Sequence, residues 1–362
     1  MGTPAKKVTI SLDWPLLAAV LFLSIAGLLN LASAANSSAF WHRQAFSLVI
    51  SLGMMTVVAG LHYRFFERAA YPIYAVTLIL LVITVLVGTV AGGTKGWLRI
   101  GWFSLQPSEP MKIGVILALA KFFHDQRAGG PYGLTQLIKP LLIGLCPAIL
   151  IMLQPDLGTT VMLMMIIGGM ILFVGVRRRL IYLGIAIMII ATPLSWNVMQ
   201  THQKNRILAF VNPHSDPTGI GYNVIQSMVA VGSGKLAGKG YKLGTQTALR
   251  YLPERHTDFV FSVVGEEWGF IGSIIILITF LFILLMGLRI SHDAKDRFGS
   301  LVALGVVLMI FCHTVVNVAM TLGSFPVVGI PLPFLSYGGS FLLTIMAGIG
   351  LIMSIEERKN MF

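Results

Sequence analysis

The sequence has little charge and little cysteine. Only 11% of its 362 residues are Asp, Glu, Lys or Arg, whereas 56% are hydrophobic and the mean hydropathy is +0.83. Soluble globular domains carry about 25% charged residues, so this composition excludes a soluble enzyme and a disordered chain. The two cysteines, Cys146 and Cys312, lie in apolar runs and are too few for a disulfide framework. The composition predicts a protein that crosses a membrane many times.

Ten long apolar runs account for most of the chain. A transmembrane helix needs about 20 apolar residues, and in lipid its backbone must satisfy its own hydrogen bonds. Runs such as 274–285 are apolar on every face, which excludes a transmembrane β-barrel. We predict helices at about 14–34, 43–61, 70–91, 108–124, 136–153, 157–175, 180–199, 263–288, 299–322 and 336–355.

The predicted fold is an all-α, polytopic integral membrane protein with about ten transmembrane helices and one large extracytoplasmic loop. Helices 1–7 fall in residues 1–199, the loop in 200–262 and helices 8–10 in 263–362. Unstructured loops rarely exceed about 15 residues, so this one is expected to be functional. Apolar spacing within it predicts a short amphipathic helix over 220–231, with one face formed by Ile220, Val224, Met228 and Val231.

Basic residues set the predicted orientation. With the N-terminus inside, fifteen Lys and Arg residues lie in cytoplasmic segments and three lie in short outer loops. An excess of basic residues in short loops marks the cytoplasmic side. Both termini are therefore predicted to be cytoplasmic. The same rule accounts for the net charge of +12 without a nucleic-acid partner.

Acidic residues are scarce enough to be placed individually. Carboxylates at membrane depth cost about 2.5–3.5 kcal/mol and are usually buried, paired or functional. Seven of the fourteen fall on the cytoplasmic side. The other seven lie in the outer half of the membrane or in outer loops: Glu109, Asp156, Asp216, Glu254, Asp258, Glu266 and Glu267.

Two polar segments, LQPSEPMK at 105–112 and QPDLGTT at 154–160, open predicted helices on the outer face. As simple helix starts, Glu109 and Asp156 would complement the helix dipole. Lys112 opposes the dipole, but it lies three residues after Glu109, where the two side chains can pair. Two such starts on one face also fit a shared cavity for a sugar or a pyrophosphate. Both interpretations stay open.

The densest cluster of ionisable residues is YLPERHTDFVFSVVGEE at 251–267. Asp258 as a helix cap and His256 as an interfacial histidine are structural alternatives to a functional site. The basic, glycine-rich loop before this cluster favours an anionic headgroup, above all diphosphate, although attraction to an anionic lipid surface would need no pocket. The segment PLPFLSYGGSF at 331–341 places Ser336 where it can cap the last helix or help backbone N–H groups to meet a phosphate.

Together, LQPSEPMK, LQPDLGTT, GYNVIQS, LPERHTDF followed by GEEWG, and PLPFLSYGG resemble the SEDS family (shape, elongation, division and sporulation). Order, spacing and the ten-helix layout agree over nearly the whole chain. Arg255 before His256, the short tails and the length are more similar to the RodA elongation branch than to the FtsW division branch.

The resemblance implies a peptidoglycan glycosyltransferase that polymerises lipid II at the outer face of the cytoplasmic membrane. It implies a class B penicillin-binding protein as the transpeptidase partner, within the elongation machinery. It also makes Asp258, in the HTDF motif, the catalytic aspartate, and Glu109, Lys112 and Asp156 the residues of the cavity. The family expects a cation near Trp97, and both Lys95 and Arg99 flank that residue.

Lipid II carries its sugar on an α-linked diphosphate and the glycan is β-1,4-linked, so a single inverting displacement suffices. Asp258 would accept the proton of the acceptor hydroxyl, and cations would stabilise the departing diphosphate. A Mg²⁺ or Mn²⁺ ion on Glu109 or Asp156 stays open, because no ligand spacing requires one, and no organic cofactor is predicted. The predicted substrate-binding residues are Trp97, Arg99, Glu109, Lys112, Asp156, Arg206, Lys239, Arg250, His256 and Ser336.

A lipid II flippase or another transporter is the alternative function. A transporter is expected to place ionisable groups at mid-bilayer and to have inverted repeats with broken helices. In this sequence the ionisable groups lie at the outer boundary, which favours chemistry at that face. A non-enzymatic scaffold, with the large loop as a docking surface, is a further alternative.

Overall fold

A computed structural model of the chain describes residues 13–358 except 35–37, 92, 101–102, 127–129, 217–218, 250 and 253. These residues form thirteen α-helices, a 3₁₀ turn at Pro213–Ser215 and three short strands. The helices are α1 (Trp14–Ala34), α2 (Ser38–Gly60), α3 (Tyr63–Val87), α4 (Ser108–Asp125), α5 (Leu134–Met152), α6 (Leu157–Val174), α7 (Arg178–Val198), α8 (Thr201–Val211), α9 (Ile220–Ser233), α10 (Thr245–Ala248), α11 (Val260–Asp293), α12 (Arg297–Thr321) and α13 (Gly339–Glu357).

The predicted apolar runs coincide with α1–α7 and α11–α13. Within the described part of the chain, eight of these helices have the length and hydropathy of a membrane span, which confirms a helical membrane protein. The other two are α4 and α7. Helix α4 has low hydropathy because four of its eighteen residues are charged: Glu109, Lys112, Lys121 and Asp125. The number of ten spans stays a prediction.

A small antiparallel sheet joins α3 to α4, and the all-α prediction missed it. Strands β1 (Thr89–Ala91), β2 (Thr94–Ile100) and β3 (Phe103–Leu105) pair in the order β1-β2-β3. Gly93 adopts φ +80° in the turn between β1 and β2, a conformation that glycine adopts without steric cost. The predicted end of the third transmembrane helix, at about residue 91, was wrong, because the apolar residues of β1 were read as part of that helix. Threonine, valine, tryptophan and isoleucine in this stretch favour strands.

Helix α12 lies at the centre of the bundle. It is buried along most of its length and packs against α4, α6, α11 and α13. Helix α13 in turn packs closely against α2. Polar side chains of α12 are therefore shielded from lipid and can reach partners on several neighbouring elements.

The described residues of the long loop include α8, α9 and α10. Helix α9 confirms the predicted amphipathic helix, but its buried face differs from the predicted one. Ser227 is fully buried, whereas Met228 is 38% exposed. The Ser227 hydroxyl lies 2.6 Å from the Ser262 hydroxyl and donates to the Thr321 carbonyl at 2.7 Å. Apolar periodicity could not show this face, because a serine with partners on α11 and α12 occupies it.

Helix α11 is broken at Gly269, where φ is +67°. In an unbroken helix each amide donates to the carbonyl four residues earlier. Segment 235–240 of the loop supplies the partners lost at the break: the amides of Phe270 and Ile271 donate to the carbonyls of Lys235 and Leu236 at 2.9 and 3.1 Å, and the amides of Lys239 and Gly240 donate to the carbonyls of Glu266 and Glu267 at 3.0 Å. Backbone hydrogen bonds thereby attach this segment of the loop to both sides of the break in α11.

The segment between α12 and α13 is held by close backbone contacts. A side chain at Gly27 of α1 would overlap the carbonyl oxygen of Phe334, and one at Gly158 of α6 would overlap that of Val328. Two transmembrane helices therefore press against this segment through glycines. It is this segment that meets the turn carrying Asp258.

The contact at Gly158 predicts a position-specific loss of stability. We expect Gly158→Ala to destabilise the protein by about 1–3 kcal/mol, because the added methyl displaces the Val328 carbonyl. Gly168, on the same helix, has open space where its Cβ would lie, so Gly168→Ala should be neutral or slightly stabilising. Thermal unfolding of both purified variants in detergent measures the difference. Equal melting temperatures would show that the close contact is not required.

Candidate active site

Asp258 lies in the turn 254–259, immediately before α11. The amides of Thr257, Asp258 and Phe259 donate to the Glu254 carbonyl at 3.2, 3.1 and 3.2 Å. The residue that precedes α11 is Phe259, and the first turn of that helix has no side-chain cap. Asp258 is therefore not the helix cap that the sequence allowed. Most of the surface of Asp258 is buried, and a smaller part is exposed at the surface of the turn.

Three consecutive carbonyls hold this turn to the end of the bundle. The His256 carbonyl accepts from the Tyr337 amide at 2.9 Å, and the Thr257 carbonyl accepts from the Ser336 hydroxyl at 2.6 Å. The Asp258 carbonyl accepts from the Asn317 side chain at 2.8 Å. Because each partner lies on α12 or in the segment before α13, the turn is fixed independently of the loop that precedes it.

Ser336 is placed differently from its predicted role. It is buried beneath the turn, and its hydroxyl also accepts from the Leu332 amide at 2.8 Å. It does not cap α13, which is preceded by Gly338. In this conformation the hydroxyl hydrogen is committed to the Thr257 carbonyl, so Ser336 supports the Asp258 turn from below.

The carboxylate of Asp258 and the guanidinium of Arg206, on α8, face the same point. A Cβ added at Gly329 would lie 3.5 Å from Asp258 Oδ2 and 3.7 Å from Arg206 Nη1. Gly329 adopts φ +74°, a left-handed conformation that favours glycine. Because residue 329 is a glycine, the point that these two groups share is not filled by a side chain of its own.

The surroundings of Asp258 make its carboxylate a weak acid. Burial raises its pKa from the ordinary value of 3.8 to about 7; the carboxylates of Glu254 and Asp156 act in the same direction, and the Arg206 guanidinium opposes them. A base acts best when its pKa lies near the working pH. The influence of Asp156 also places the second predicted helix start within electrostatic range of Asp258.

His256 lies beside the turn as a partly buried aromatic residue. Its ring is 5.2 Å from the Phe40 ring and 6.1 Å from the Tyr337 ring. Burial lowers the pKa of His256 below its usual 6.5, so the imidazole is neutral at neutral pH. The structural interpretation of this histidine fits these contacts, and a substrate-binding role stays a prediction.

Glu109 and Lys112 form the ion pair that their spacing predicted. Lys112 Nζ lies 2.8 Å from Glu109 Oε2, and the lysine is 0% exposed. The ammonium also lies 3.0 Å from His313 Nε2, while His313 Nδ1 lies 3.3 Å from the Pro331 carbonyl. This arrangement fits the His313 tautomer that donates from Nδ1 and accepts from Lys112. The buried cation is therefore connected to the segment that carries Gly329.

Asp156 caps α6, as the structural interpretation of its segment predicted. Its carboxylate accepts from the Thr159 amide and hydroxyl at 3.0 and 2.9 Å. It also accepts from the Gln106 side chain at 3.2 Å, which ties the start of α6 to the residue before the α4 turn. The two polar helix starts are therefore brought together, as predicted.

The two cations that flank Trp97 on β2 have different surroundings. Lys95 Nζ donates to the carbonyls of Val85 and Leu86 at 3.0 and 3.2 Å, where it neutralises the end of α3. Arg99 is exposed on β2, opposite Ser104 on β3. Lys95 therefore has a structural role, and Arg99 is the cation beside Trp97 that remains available for a ligand.

Lys239 belongs to a different cluster from Asp258. Its ammonium lies 2.8 Å from a carboxylate oxygen of Glu266, which is fully buried and also accepts from the Gln246 amide at 2.8 Å. Glu266 thus anchors the loop to α11. Arg250, also predicted to bind substrate, lies outside the described residues.

The predicted metal ligands fit a divalent ion poorly in this arrangement. Glu109 is paired with Lys112, and both Asp156 oxygens accept hydrogen bonds. In the described ranges, the three-residue group that could hold an ion is instead Glu67, His124 and Asp125, at the other end of α4. The Lys121 ammonium already bonds to two of its carboxylates, at 3.1 and 2.9 Å, as in a salt-bridge network. Dependence on Mg²⁺ or Mn²⁺ stays a prediction.

A family model named FTSW_RODA_SPOVE and described as "Cell cycle protein" matches residues 6–361. The chain belongs to this family. The prediction from the sequence motifs is thereby confirmed. The FtsW/RodA/SpoVE match also covers the residues of both polar helix starts, the Asp258 turn and the segment before α13.

Individual members of the FtsW/RodA/SpoVE family are similar over nearly the full chain. Peptidoglycan glycosyltransferase MrdB of Escherichia coli (strain K12) is 38% identical over 366 residues, covering 99% of this chain and 98% of MrdB. The crystal structure of the rod shape determining protein RodA of Thermus thermophilus matches with a TM-score of 0.74 and 27% identity, covering 98% of this chain and 99% of RodA.

A third match has a higher TM-score. A chain from a structure of a peptidoglycan synthase complex, described for its coordination of polymerization and crosslinking, superimposes with a TM-score of 0.84 and 29% identity. It covers 98% of this chain and 100% of its own length. The fold therefore agrees with solved members of the FtsW/RodA/SpoVE family from end to end.

Sequence reasoning missed three residues of this site: Asn317, His313 and Gly329. The first two are polar residues in the predicted span 299–322, and intramembrane polar residues usually mark a function. That signal was present in the sequence. Gly329 had no comparable signal, because its role depends on the positive φ and on two side chains that are distant along the chain.

The buried pair at the start of α4 predicts a stability cycle. Lys112→Met leaves Glu109 buried without its cation, and breaking a buried pair costs about 3–5 kcal/mol. Replacing both charges, in Glu109→Gln/Lys112→Met, should recover most of the loss. Lys121→Met removes two partly exposed ion pairs and should cost only about 1 kcal/mol. Thermal unfolding in detergent measures all three variants, and a double variant no more stable than Lys112→Met would contradict the pairing.

Proposed function

We propose that this chain is a peptidoglycan glycosyltransferase that polymerises lipid II during cell elongation. The observation that carries the proposal is that the Asp258 carboxylate and the Arg206 guanidinium both lie within 4 Å of the point that a Cβ at Gly329 would occupy. Relatives named peptidoglycan glycosyltransferase MrdB and RodA support this reaction class. The similarity to the rod shape determining protein RodA supports the elongation branch.

The arrangement suits a single displacement with inversion. Asp258 accepts the proton of the acceptor GlcNAc 4-hydroxyl while that oxygen attacks the anomeric carbon of the donor sugar. The bond from that carbon to the diphosphate oxygen breaks, and undecaprenyl diphosphate departs with the electron pair. General-base assistance of this kind contributes about 10²–10⁴-fold. Arg206 stabilises the charge that develops on the diphosphate, as charge-assisted hydrogen bonds to phosphate do.

Lys112 has a more indirect part in this proposal. The ammonium is buried between Glu109 and His313, so it can stabilise a diphosphate only by exchanging one of these partners for a phosphate oxygen. The variant Glu109→Gln/Lys112→Met is expected to fold without the ammonium. Its polymerisation rate therefore separates a role in turnover from a role in stability.

We place the site on the extracytoplasmic side of the membrane, with both termini in the cytoplasm. The distribution of basic residues supports this orientation. Asp258, the β-sheet and the starts of α4 and α6 lie at the same end of the bundle, which is the end that receives lipid-linked precursors from outside.

A partner that crosslinks the new strands completes the proposed reaction. The similarity to a chain of a peptidoglycan synthase complex, described by polymerization and crosslinking together, supports such a partner. We propose a class B penicillin-binding protein within the elongation machinery. A divalent cation such as Mg²⁺ or Mn²⁺ would need ligands other than the engaged Glu109 and Asp156 carboxylates, and no step above depends on one.

Replacing the proposed base tests the function directly. We expect Asp258→Asn to lower polymerisation of purified lipid II by at least about 10²-fold, because the amide cannot accept the proton. The melting temperature should stay close to that of the unchanged protein, since the three hydrogen bonds that hold this turn are accepted by backbone carbonyls and not by the Asp258 carboxylate. A folded Asp258→Asn variant that polymerises normally would refute the proposal.

The flippase alternative is tested with the same proteins in liposomes. Headgroup translocation and glycan formation are scored in parallel, with Asp258→Asn as the comparison. Translocation by the unchanged protein without polymer formation would favour transport. Polymer formation that depends on Asp258 favours the transferase.

The pKa of Asp258 predicts the pH dependence of turnover. Because the base must be deprotonated, kcat/KM should rise with pH through about 7 and level off above it. Arg206→Gln removes the charge that lowers this pKa, so its midpoint should move to higher pH, whereas Arg206→Lys should stay near the original value. His256→Gln is the control. A midpoint that moves in His256→Gln and not in Arg206→Gln would assign the titration to the histidine.

A further inference from the structure

Asn317 of α12 binds the two backbone segments that meet at the proposed reaction centre. Its Nδ2 donates to the Asp258 carbonyl at 2.8 Å and to the Ile330 carbonyl at 2.6 Å. Both hydrogens of one amide group are therefore used. The side chain is fully buried, and its Oδ1 is buried without a hydrogen-bond partner in the described part of the chain. A flipped amide would turn an oxygen toward two carbonyls, so the side chain has one orientation.

The two carbonyls lie next to the groups that face each other. One belongs to Asp258 itself, and the other to the residue after Gly329. Since the Asp258 carboxylate lies 3.5 Å from the position of a Cβ at Gly329, the separation of these segments sets the space in front of the carboxylate. Asn317 fixes that separation with one planar group.

The neighbouring threonines of α12 do not have this geometry. The hydroxyl of Thr314 donates to the Ile310 carbonyl, and that of Thr321 donates to the Val318 carbonyl, both within the same helix. Asn317, between them, directs both donors out of the helix to two other segments. A residue needed only for the stability of α12 would not require this arrangement.

We propose that Asn317 is a positioning residue for the glycosyl transfer, and that Gly329 keeps the space between the base and the cation open for the reacting groups. This inference rests on the proposed function. Asn317 holds the Asp258 turn against the Gly329 segment and so sets the distance between the carboxylate and the acceptor hydroxyl. A side chain at Gly329 would occupy the space in which that hydroxyl and the diphosphate meet.

Two variants of Asn317 separate hydrogen bonding from packing. Leucine fills a similar volume without a donor, and alanine leaves a cavity. Because a misplacement of about 1 Å can cost about 10²-fold in rate, we expect Asn317→Leu and Asn317→Ala to lower kcat by about 10²-fold while KM for lipid II changes by less than about threefold. Thr314→Val, a buried replacement one turn away, is the matched control and should keep kcat within about twofold.

Two glycine variants test the open space without touching Asn317. Gly329→Ala places a methyl group between Asp258 and Arg206 in a left-handed backbone, and we expect kcat/KM to fall at least about 10²-fold. Gly175→Ala imposes the same kind of strain at φ +93°, where the Cβ would meet open space. It should lower the melting temperature to a similar extent and leave kcat/KM nearly unchanged.

The outcomes distinguish this inference from the proposed function. A folded Asn317→Leu variant with normal kcat, alongside an inactive Asp258→Asn variant, would overturn the positioning role while the function stands. An active Asp258→Asn variant would overturn the function itself. If the Asn317 variants do not fold, the test rests on Gly329→Ala, with Gly175→Ala as its control. A normal kcat/KM of Gly329→Ala would also overturn the inference.

Discussion

The need to satisfy every backbone amide and carbonyl at membrane depth governs this structure. Lipid offers no hydrogen-bond partners, so irregular backbone survives only where other protein groups replace those of the helix. Two irregular places depend on such replacement. At Gly269 the loop segment 235–240 supplies the partners of a broken helix. At the turn 254–259, side chains and backbone from α12 and from the segment before α13 bind three successive carbonyls.

The same requirement explains how Asp258 is positioned: the hydrogen bonds that fix it are made to backbone carbonyls of its turn. Among the described residues, the groups around the aspartate bind its backbone, and its carboxylate lies close to Arg206 and to the point that a Cβ at Gly329 would occupy. Burial and neighbouring carboxylates then raise the pKa of Asp258 toward neutrality. The protein surrounding Asp258 thus gives it the pKa of a base. The nearby cation, Arg206 on α8, precedes Asp258 by some fifty residues in the chain.

Much of the fold could be predicted from sequence, because apolar runs report where lipid surrounds a helix. The Glu109–Lys112 pair was predictable as well, since a spacing of three residues places both on one helix face. His313 was not, because it meets Lys112 across 201 residues of chain. The buried face of α9 was predicted incorrectly because Ser227 finds hydrogen-bond partners that hydropathy cannot represent. Ser336 was recognised as important, but only the structure shows that it binds Thr257.

The break in α11 has a mechanical consequence. Four backbone hydrogen bonds join segment 235–240 to the helix, so this segment of the long loop cannot shift along the axis of α11 unless the helix shifts with it. Below the break the helix continues without interruption to Asp293, a rigid rod of about 36 Å at 1.5 Å per residue. A protein that binds this segment of the loop therefore contacts a helix that extends from there to the opposite end of the bundle.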